Sequence, residues 1–571
     1  MTRGRFVPNL MRYWSGEISM RAAILGLAVF LAACSSREPV IESDPETRLS
    51  TPQGPIVGYV ADTGAHVWRA IPFAQPPVGD LRWQPALPAG NWDGEREAIT
   101  APIPCPQMAN GLSSDLLGVD AGELAGAEDC LYLDVYAPPN AENLPVMVWI
   151  HGGANTWGWA DQYDGAQLAM DQNVIVAVVQ YRMGPLGFFS HPALRETGSG
   201  IANFALTDHL AALNWVQDNI TFYGGDPGTV TIFGESAGGT NVAALMASPL
   251  AGGLFHRAIM QSGSASSVPQ AEAEGVEGEE VNPSIQTAAR FVQGEVTAAS
   301  LREVALADIY AAYTDGNGRI EVPTVIADGV SLPAGGVMQA FASPETFNAV
   351  PLITGTNRDE VKLYNGLNDE LVARHLGIFF RIRDEALYEA VSDYQSRIWA
   401  INAVDEIAAA MTAGGHDDVW AYRFDWDEGG SNIFLDTTEV FGAMHSMEVP
   451  FVFNRFEFFG SRLDPIVFNT KNEDSRIALA REMGSYWARF ARQGDPGGEW
   501  TRWSEGPARM RFDTGADGGS GMLAGAMTIE GLASDISTDD RLSAEERCEL
   551  VTSMEGRYFD DTRELRPLTR C

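Results

Sequence analysis

The apolar positions of this chain are gathered into runs more often than they alternate. Residues 145–150 (PVMVWI), 174–179 (VIVAVV) and 350–357 (VPLITGTN) are continuous apolar or small stretches. Runs of this kind mark strands covered on both faces, because a strand with one wet face would alternate. Residues 229–233 (TVTIF) alternate β-branched and apolar side chains, and lead through GESAGG into a small, Ala-rich helical run ending near residue 245. Residues 206–219 have helical spacing, and the stretches 266–322 and 367–415 are helix-rich insertions. From Gly54 the pattern is short strands and turns, and residues 69–85 (RAIPFAQPPVGDLRWQP) carry prolines so spaced that no helix can form. Strands alternating with helices predict an α/β fold built on a mostly parallel sheet.

No linker-like break follows residue 50, so the 571 residues are expected to hold one large domain, 51–571, rather than several. The formal charge of −38 and pI near 4.4 argue against electrostatic binding to nucleic acid or to an anionic membrane. An acidic, solvated shell accounts for that charge.

The first residues add a different kind of information. From Met20 the chain reads MRAAILGLAVFLAACSS, one arginine and then an apolar run that stops at Cys34. The run is short for a bilayer span and fits a signal peptide over residues 1–33, with Met20 as an alternative start. Leu31-Ala32-Ala33-Cys34 resembles the lipobox of bacterial lipoproteins, which implies a lipid anchor on Cys34, membrane contact through it, and residence in the cell envelope. Ser35 and Ser36 resemble the outer-membrane sorting pattern. Residues 34–50 are polar and read as a tether.

Four further cysteines remain, an even number for an oxidising compartment. Pairing Cys105 with Cys130 and Cys548 with Cys571 closes two short loops, and two other pairings are open on count alone. The second pair would fasten a C-terminal tail that reads as rich in charge and poor in core residues.

The chemistry centres on Ser236, in the pentapeptide Gly234-Glu235-Ser236-Ala237-Gly238 between a strand and a helix. A serine on so sharp a reversal has its hydroxyl lifted over the end of a sheet, with a helix N-terminus beneath it to favour developing negative charge. His151-Gly152-Gly153-Ala154, after the run at 145–150, is a small-residue turn whose N–H groups could receive an oxyanion. Serine needs an imidazole to take its proton and an anion to orient that imidazole. Eight histidines are available. Asp359 and Glu360, after the run at 350–357, both offer a carboxylate.

The segments PPVGDLRW, EDCLYLDVY, VMVWIHGGA, YRMGPLGFF, ALNWVQDNI, YGGDPGTVTIFGESAGG and QSGSA, in this order, resemble the carboxylesterase type-B family, the cholinesterase-like branch of the α/β-hydrolases, over residues 50–515. The resemblance implies an α/β-hydrolase fold, a central mostly parallel sheet flanked by helices, with helical insertions over an active-site gorge. It implies a serine esterase acting on small-molecule esters, without cofactor or metal. The order of a triad in this fold, Ser then acid then His, leaves His375, His416 and His445. His445, in GAMHSMEVPFVFN, matches the family's histidine loop. His416 reads as a surface turn residue and His375 as a helix-surface residue. Glu360 matches the family's acid, with Val361 standing where the family commonly has glycine or alanine. The oxyanion hole implied is Gly153, Ala154 and Ala237, Ala154 replacing a commoner third glycine. A disulfide before EDCLYL is also implied, matching Cys105 and Cys130. Glu235 matches a buried carboxylate, taken as electrostatic tuning or structure, and Ser262 a family-like position of unassigned purpose.

The loop between Cys105 and Cys130 has no aromatic residue, whereas cholinesterases place a tryptophan there for cation–π binding; choline esters are not expected substrates. Asn155-Thr156-Trp157 suggests a more polar acyl pocket than the family's usual aromatics. A lipase or amidase using the same triad is the alternative reading. An adhesion protein on the same fold is disfavoured because Ser236, Glu360 and His445 are all present.

Overall fold

The computed structural model describes residues 41–571 apart from 197, 279, 316–317, 376–378 and 555–564. Cys34 and the signal segment therefore lie outside the described residues. The fold is organised by an 11-stranded sheet. Its strands are β1 (Tyr59–Val60), β2 (His66–Pro72), β3 (Tyr132–Ala137), β4 (Leu144–Ile150), β5 (Ile175–Val179), β6 (Gly225–Glu235), β7 (Arg257–Gln261), β8 (Leu352–Asn357), β9 (Val419–Phe424), β10 (Ala508–Phe512) and β11 (Gly521–Ala524). Across the sheet the order is β11-β10-β9-β8-β7-β6-β4-β5-β3-β2-β1. The strands from β10 to β5 in that order pair in parallel. Antiparallel pairs close both margins.

The continuous apolar runs are explained by burial on both faces. Within β4, Val146, Val148 and Ile150 belong to one core cluster, while Met147 and Trp149 belong to the other. Helices α1 (Phe204–Asn219), α2 (Ala237–Ala247) and α4 (Glu406–Ala413) cover the first face. Helix α5 (Glu473–Gln493) covers the second with Leu479, Met483, Trp487 and Phe490. Between α2 and α4 lies α3 (Glu385–Ala400), which reaches α4 through a π-helical turn, Ile401–Asp405.

Register then decides what meets at the carboxyl edge. Gly234 of β6 pairs with Ile150, Glu235 with Gln261, and Gln261 with Gly355. Adjacent strand ends therefore deliver the turn after Ile150, the elbow at Ser236, Ser262 and the loop after Asn357 to one place. In open α/β sheets ligands bind at this edge.

Three local expectations change. The stretch 367–415 opens not as a helix but as an antiparallel hairpin, Val372–His375 with Phe379–Ile382, which puts His375 at a strand end. Its aromatic and apolar residues suit strands better than a helix. Within the 34–50 segment assigned to the tether, Pro45–Thr47 instead form a 3₁₀ turn, and Leu49 and Ser50 begin a strand, Leu49–Thr51, paired with Gly54–Val57. The C-terminal tail has a core of its own: α6 (Ile529–Thr538), α7 (Ala544–Met554) and α8 (Leu565–Thr569) bury Leu532, Ile536, Leu550, Val551 and Leu565 against α3. Both disulfides, Cys105–Cys130 and Cys548–Cys571, are closed.

Candidate active site

Ser236 occupies a backbone conformation that side chains seldom adopt, φ 58° and ψ −126°. Such strain persists only where surrounding structure over-determines it, and it clusters at functional sites. Here the packing supplies the constraint. A Cβ at Gly234 would stand 2.5 Å from Ile150 O, and one at Gly238 2.0 Å from the same oxygen, so the elbow closes against β4 only with glycine on both sides. The Ser236 N–H donates to Gln261 O at 2.8 Å, and α2 starts at the next residue.

The loop after β8 and the loop at 442–448 meet beside this elbow. Glu360 is fully buried. Its Oε2 lies 2.6 Å from His445 Nδ1, and its Oε1 accepts from the Asn357 N–H at 2.8 Å and the Ser262 hydroxyl at 2.5 Å. Ser262, whose purpose the sequence left open, thus clamps the acid. Asp359, the competing carboxylate, is turned away from the ring: it pairs with Arg358 at 2.7 Å and accepts from the Ala443 N–H at 3.1 Å. Its work is to hold the loop that presents His445.

The other face of the imidazole meets a second carboxylate. Glu235 Oε1 stands 3.2 Å from His445 Nε2 and accepts from the Ser446 hydroxyl at 2.8 Å. That approach is not aligned as a hydrogen bond, and Nε2 is buried without a partner among the described residues. No hydrogen bond joins it to the Ser236 hydroxyl. A Cβ placed on Gly152 would meet Glu235 Oε2 at 2.9 Å and Ser236 Cβ at 3.0 Å, so the Glu235 carboxylate, Ser236 and the turn at 152 are immediate neighbours. Catalytic hydrogen bonds are commonly long before substrate binds.

A third carboxylate, Glu448, completes the cluster, with Oε2 2.7 Å from Asn357 Nδ2 and Oε1 3.2 Å from Gln261 Nε2. Burial pulls the His445 pKa down, but Glu235 and then Glu360 outweigh it and hold the pKa up, at about 9. Burial, reinforced by Glu235 and Glu360, pushes Glu448 up to about 8. Burial raises Glu235 as well.

The turn after β4 is equally constrained. Gly153 (φ 107°), Ala154 (φ 54°) and Asn155 (φ 56°) are all left-handed, and a Cβ on Gly153 would collide with Trp157 O at 1.9 Å. Among the described residues, the N–H groups of Gly153, Ala154 and Ala237 donate to no protein acceptor. Asn155 is buried; its side chain accepts from Asn241 at 2.8 Å and its carbonyl from the Gly184 N–H at 2.6 Å. It pins the turn to the body of the protein. His151 sits behind the turn, Nδ1 2.9 Å from Gly152 O, its ring stacked on Tyr181 at 4.4 Å.

The structure also moves His416 indoors: its Nε2 lies 3.0 Å from Val350 O and its ring packs edge-on against Phe347. Sequence reasoning missed Glu448, Asn357 and Trp399, whose ring centroid is 4.7 Å from that of His445. Glu448 and Asn357 stood inside stretches already singled out, three residues after His445 and three before Glu360; the signal was there. Trp399 had none.

The chain has clear relatives among known proteins. Residues 45–375 and 380–513 match the model of the Carboxylesterase family. The chain is similar to Carboxylesterase 5A of Canis lupus familiaris, 34% identical with 87% of this chain and 91% of that protein covered. It is likewise similar to Para-nitrobenzyl esterase of Bacillus subtilis (strain 168), 33% identical over 80% of this chain and 91% of that one. Among solved structures, a PNB esterase superposes with a TM-score of 0.62 at 30% identity, covering 84% of this chain and 97% of its own.

Proposed function

The chain belongs to the carboxylesterase family and is a carboxylic ester hydrolase, and on that premise we propose that Ser236, His445 and Glu360 are its nucleophile, general base and orienting acid. Ser236 Oγ attacks the ester carbonyl carbon and its proton passes to His445 Nε2. The carbonyl electrons move to oxygen, and the N–H groups of Gly153, Ala154 and Ala237 receive that oxyanion. Glu360, at Nδ1, stabilises the imidazolium so formed. Collapse breaks the bond to the alcohol oxygen, which leaves with the proton from Nε2, and an acyl-Ser236 remains. Water then attacks the acyl carbon, gives its proton to Nε2, and the second collapse frees the acid and restores Ser236.

The observation that carries this reading is His445 held at Nδ1 by Glu360, 2.6 Å away, with Nε2 free of any hydrogen bond among the described residues and turned to Glu235, the residue before the elbow serine. The imidazole must be neutral to act as base, so a pKa held at about 9 places the rise of kcat/KM on the alkaline side of an ordinary histidine. A fluorophosphonate probe is expected to label Ser236, and Ser236→Ala to abolish both labelling and turnover. Turnover surviving in that variant contradicts the assignment. A panel of acyl-chain lengths with an anilide included separates esterase from lipase and amidase use of the same triad.

Lipidation at Cys34 and an envelope location belong to the same reading. Their support is the Leu31–Cys34 sequence and the two disulfides, which suit an oxidising compartment. Radiolabelled palmitate should enter the protein, and Cys34→Ser should release it from the membrane fraction; an unlabelled, soluble parent protein contradicts the anchor.

A further inference from the structure

Helix α3 has two working faces. On one, Ser396 Oγ accepts from the Val361 N–H at 3.3 Å, Asn365 Nδ2 donates to Ser392 Oγ at 3.1 Å, and Lys362 Nζ meets Glu389 at 3.0 Å. Positions 389, 392, 396 and 399 follow helical spacing, so this is one stripe. It is stitched to the segment that follows Glu360. On the opposite stripe Ala390, Tyr394, Ile398 and Ile401 pack on the C-terminal helices. Polar ties support that packing: Tyr394 OH to Asp539 at 2.8 Å, Gln395 Nε2 to Ser553 at 3.1 Å, and Arg397 to Asp535 at 2.6 Å.

Trp399 ends the stripe that faces the site, just before the π-helical turn. Such turns add a residue to the helical repeat and recur at functional sites. The turn is anchored to the sheet by Thr354 Oγ1 of β8, which donates to Ala403 O at 2.8 Å. The indole then touches two parts of the catalytic cluster at once. Its ring lies 4.7 Å from the His445 ring, and its Nε1 donates to Ser262 O at 3.2 Å. Ser262 holds Glu360, and Glu360 holds His445, so the contacts close a circuit. Tyr364 lies behind, near-parallel to Trp399 at 6.4 Å and 6.0 Å from His445.

We infer that Trp399 is a positioning residue for this reaction: it fixes the plane of the His445 imidazole, and α3 with the C-terminal helices braces it from outside. One hydrogen bond at Nδ1 leaves the imidazole free to swing about that bond. The indole, tilted 45° to the imidazole, narrows that freedom and offers a π-surface to the imidazolium. The inference rests on His445 being the base proposed above. Misplacement of a reacting group by an ångström can cost about 100-fold in rate.

The test compares Trp399→Phe, Trp399→Leu and Trp399→Ala by kcat, KM, thermal midpoint and rate of fluorophosphonate labelling, with His445→Gln alongside. Phe retains an aromatic wall and is expected to keep kcat within about 3-fold. Leu fills space without a π-face and should lower kcat roughly 10- to 100-fold with KM little changed and labelling slowed in step. If Ala does not fold, the Phe and Leu pair decides. A folded Leu variant with parental kcat overturns the inference, and so do equal losses in Phe and Leu. A raised KM at constant kcat also overturns it, by making Trp399 a substrate wall. Full turnover in His445→Gln removes the base assignment itself, an outcome distinct from these.

Discussion

Buried imidazoles behave in opposite ways at two places in this molecule. His445 is surrounded by Glu235, Glu360 and Glu448, and its pKa is held up at about 9. His151 and His209 instead flank Tyr181, each ring packed against it. Burial pulls them down, to about 4 and about 3, and both ring nitrogens of His209 lack partners among the described residues. All three rings are buried; only the neighbouring charge differs. Desolvation therefore sets the default, a neutral ring, and nearby carboxylates reverse it. The contrast separates an imidazole that can exchange protons in a reaction from one that serves as a flat polar wedge behind the oxyanion turn.

The comparison can be broken most sharply by taking the carboxylate from Nδ1. Glu360→Gln keeps the shape but can leave the ring in the wrong tautomer, and kcat should fall about 10⁴-fold, as in other serine triads; a loss under about 10-fold would mean that Glu360 does not orient the base. Removing the second charge is gentler. Glu235→Gln should move the ascending limb of kcat/KM toward pH 6.5 by about one unit or more, measured from pH 5 to 10. An unmoved limb would separate Glu235 from the titration. The smallest effect on turnover lies on the other side of the comparison. The unfolded chain protonates His209 near pH 6.5 and the folded one only near 3, so stability is lost as pH falls through that window, by about 1.4 kcal/mol per pH unit. His209→Phe should flatten the fall in urea midpoint between pH 6.5 and 4 and leave kcat near that of the parent.

His445 has the opposite linkage. Its folded pKa lies above its unfolded one, so its contribution to stability is complete below pH 6.5 and is lost as pH rises through about 9. The conditions that neutralise the base for catalysis are those in which the cluster holds the fold least.

Much of this was legible in the chain because the signals were local. Runs such as VIVAVV can only be strands wet on neither face, and the glycines at 234 and 238 announce the elbow they make room for. Glu360 and His445 needed family likeness to be singled out, since Asp359 is as good a carboxylate on paper; the structure separates them because Arg358 and the Ala443 N–H occupy Asp359. Trp399 was illegible, for its place against His445 depends on a π-helical turn and on packing by helices more than 120 residues later. The strand pair Val372–His375 and Phe379–Ile382 was missed because four residues are too few to set a period, although their aromatic and apolar content leans toward strands.

The central claim is that carboxylates, not burial, govern the His445 ring. NMR titration of histidines labelled at ring carbon Cε1, in the Ser236→Ala protein, tests it directly. The account predicts one buried histidine titrating near pH 9 that disappears in His445→Gln, with His151 and His209 neutral down to about pH 5. A His445 midpoint at or below 6.5 would contradict it.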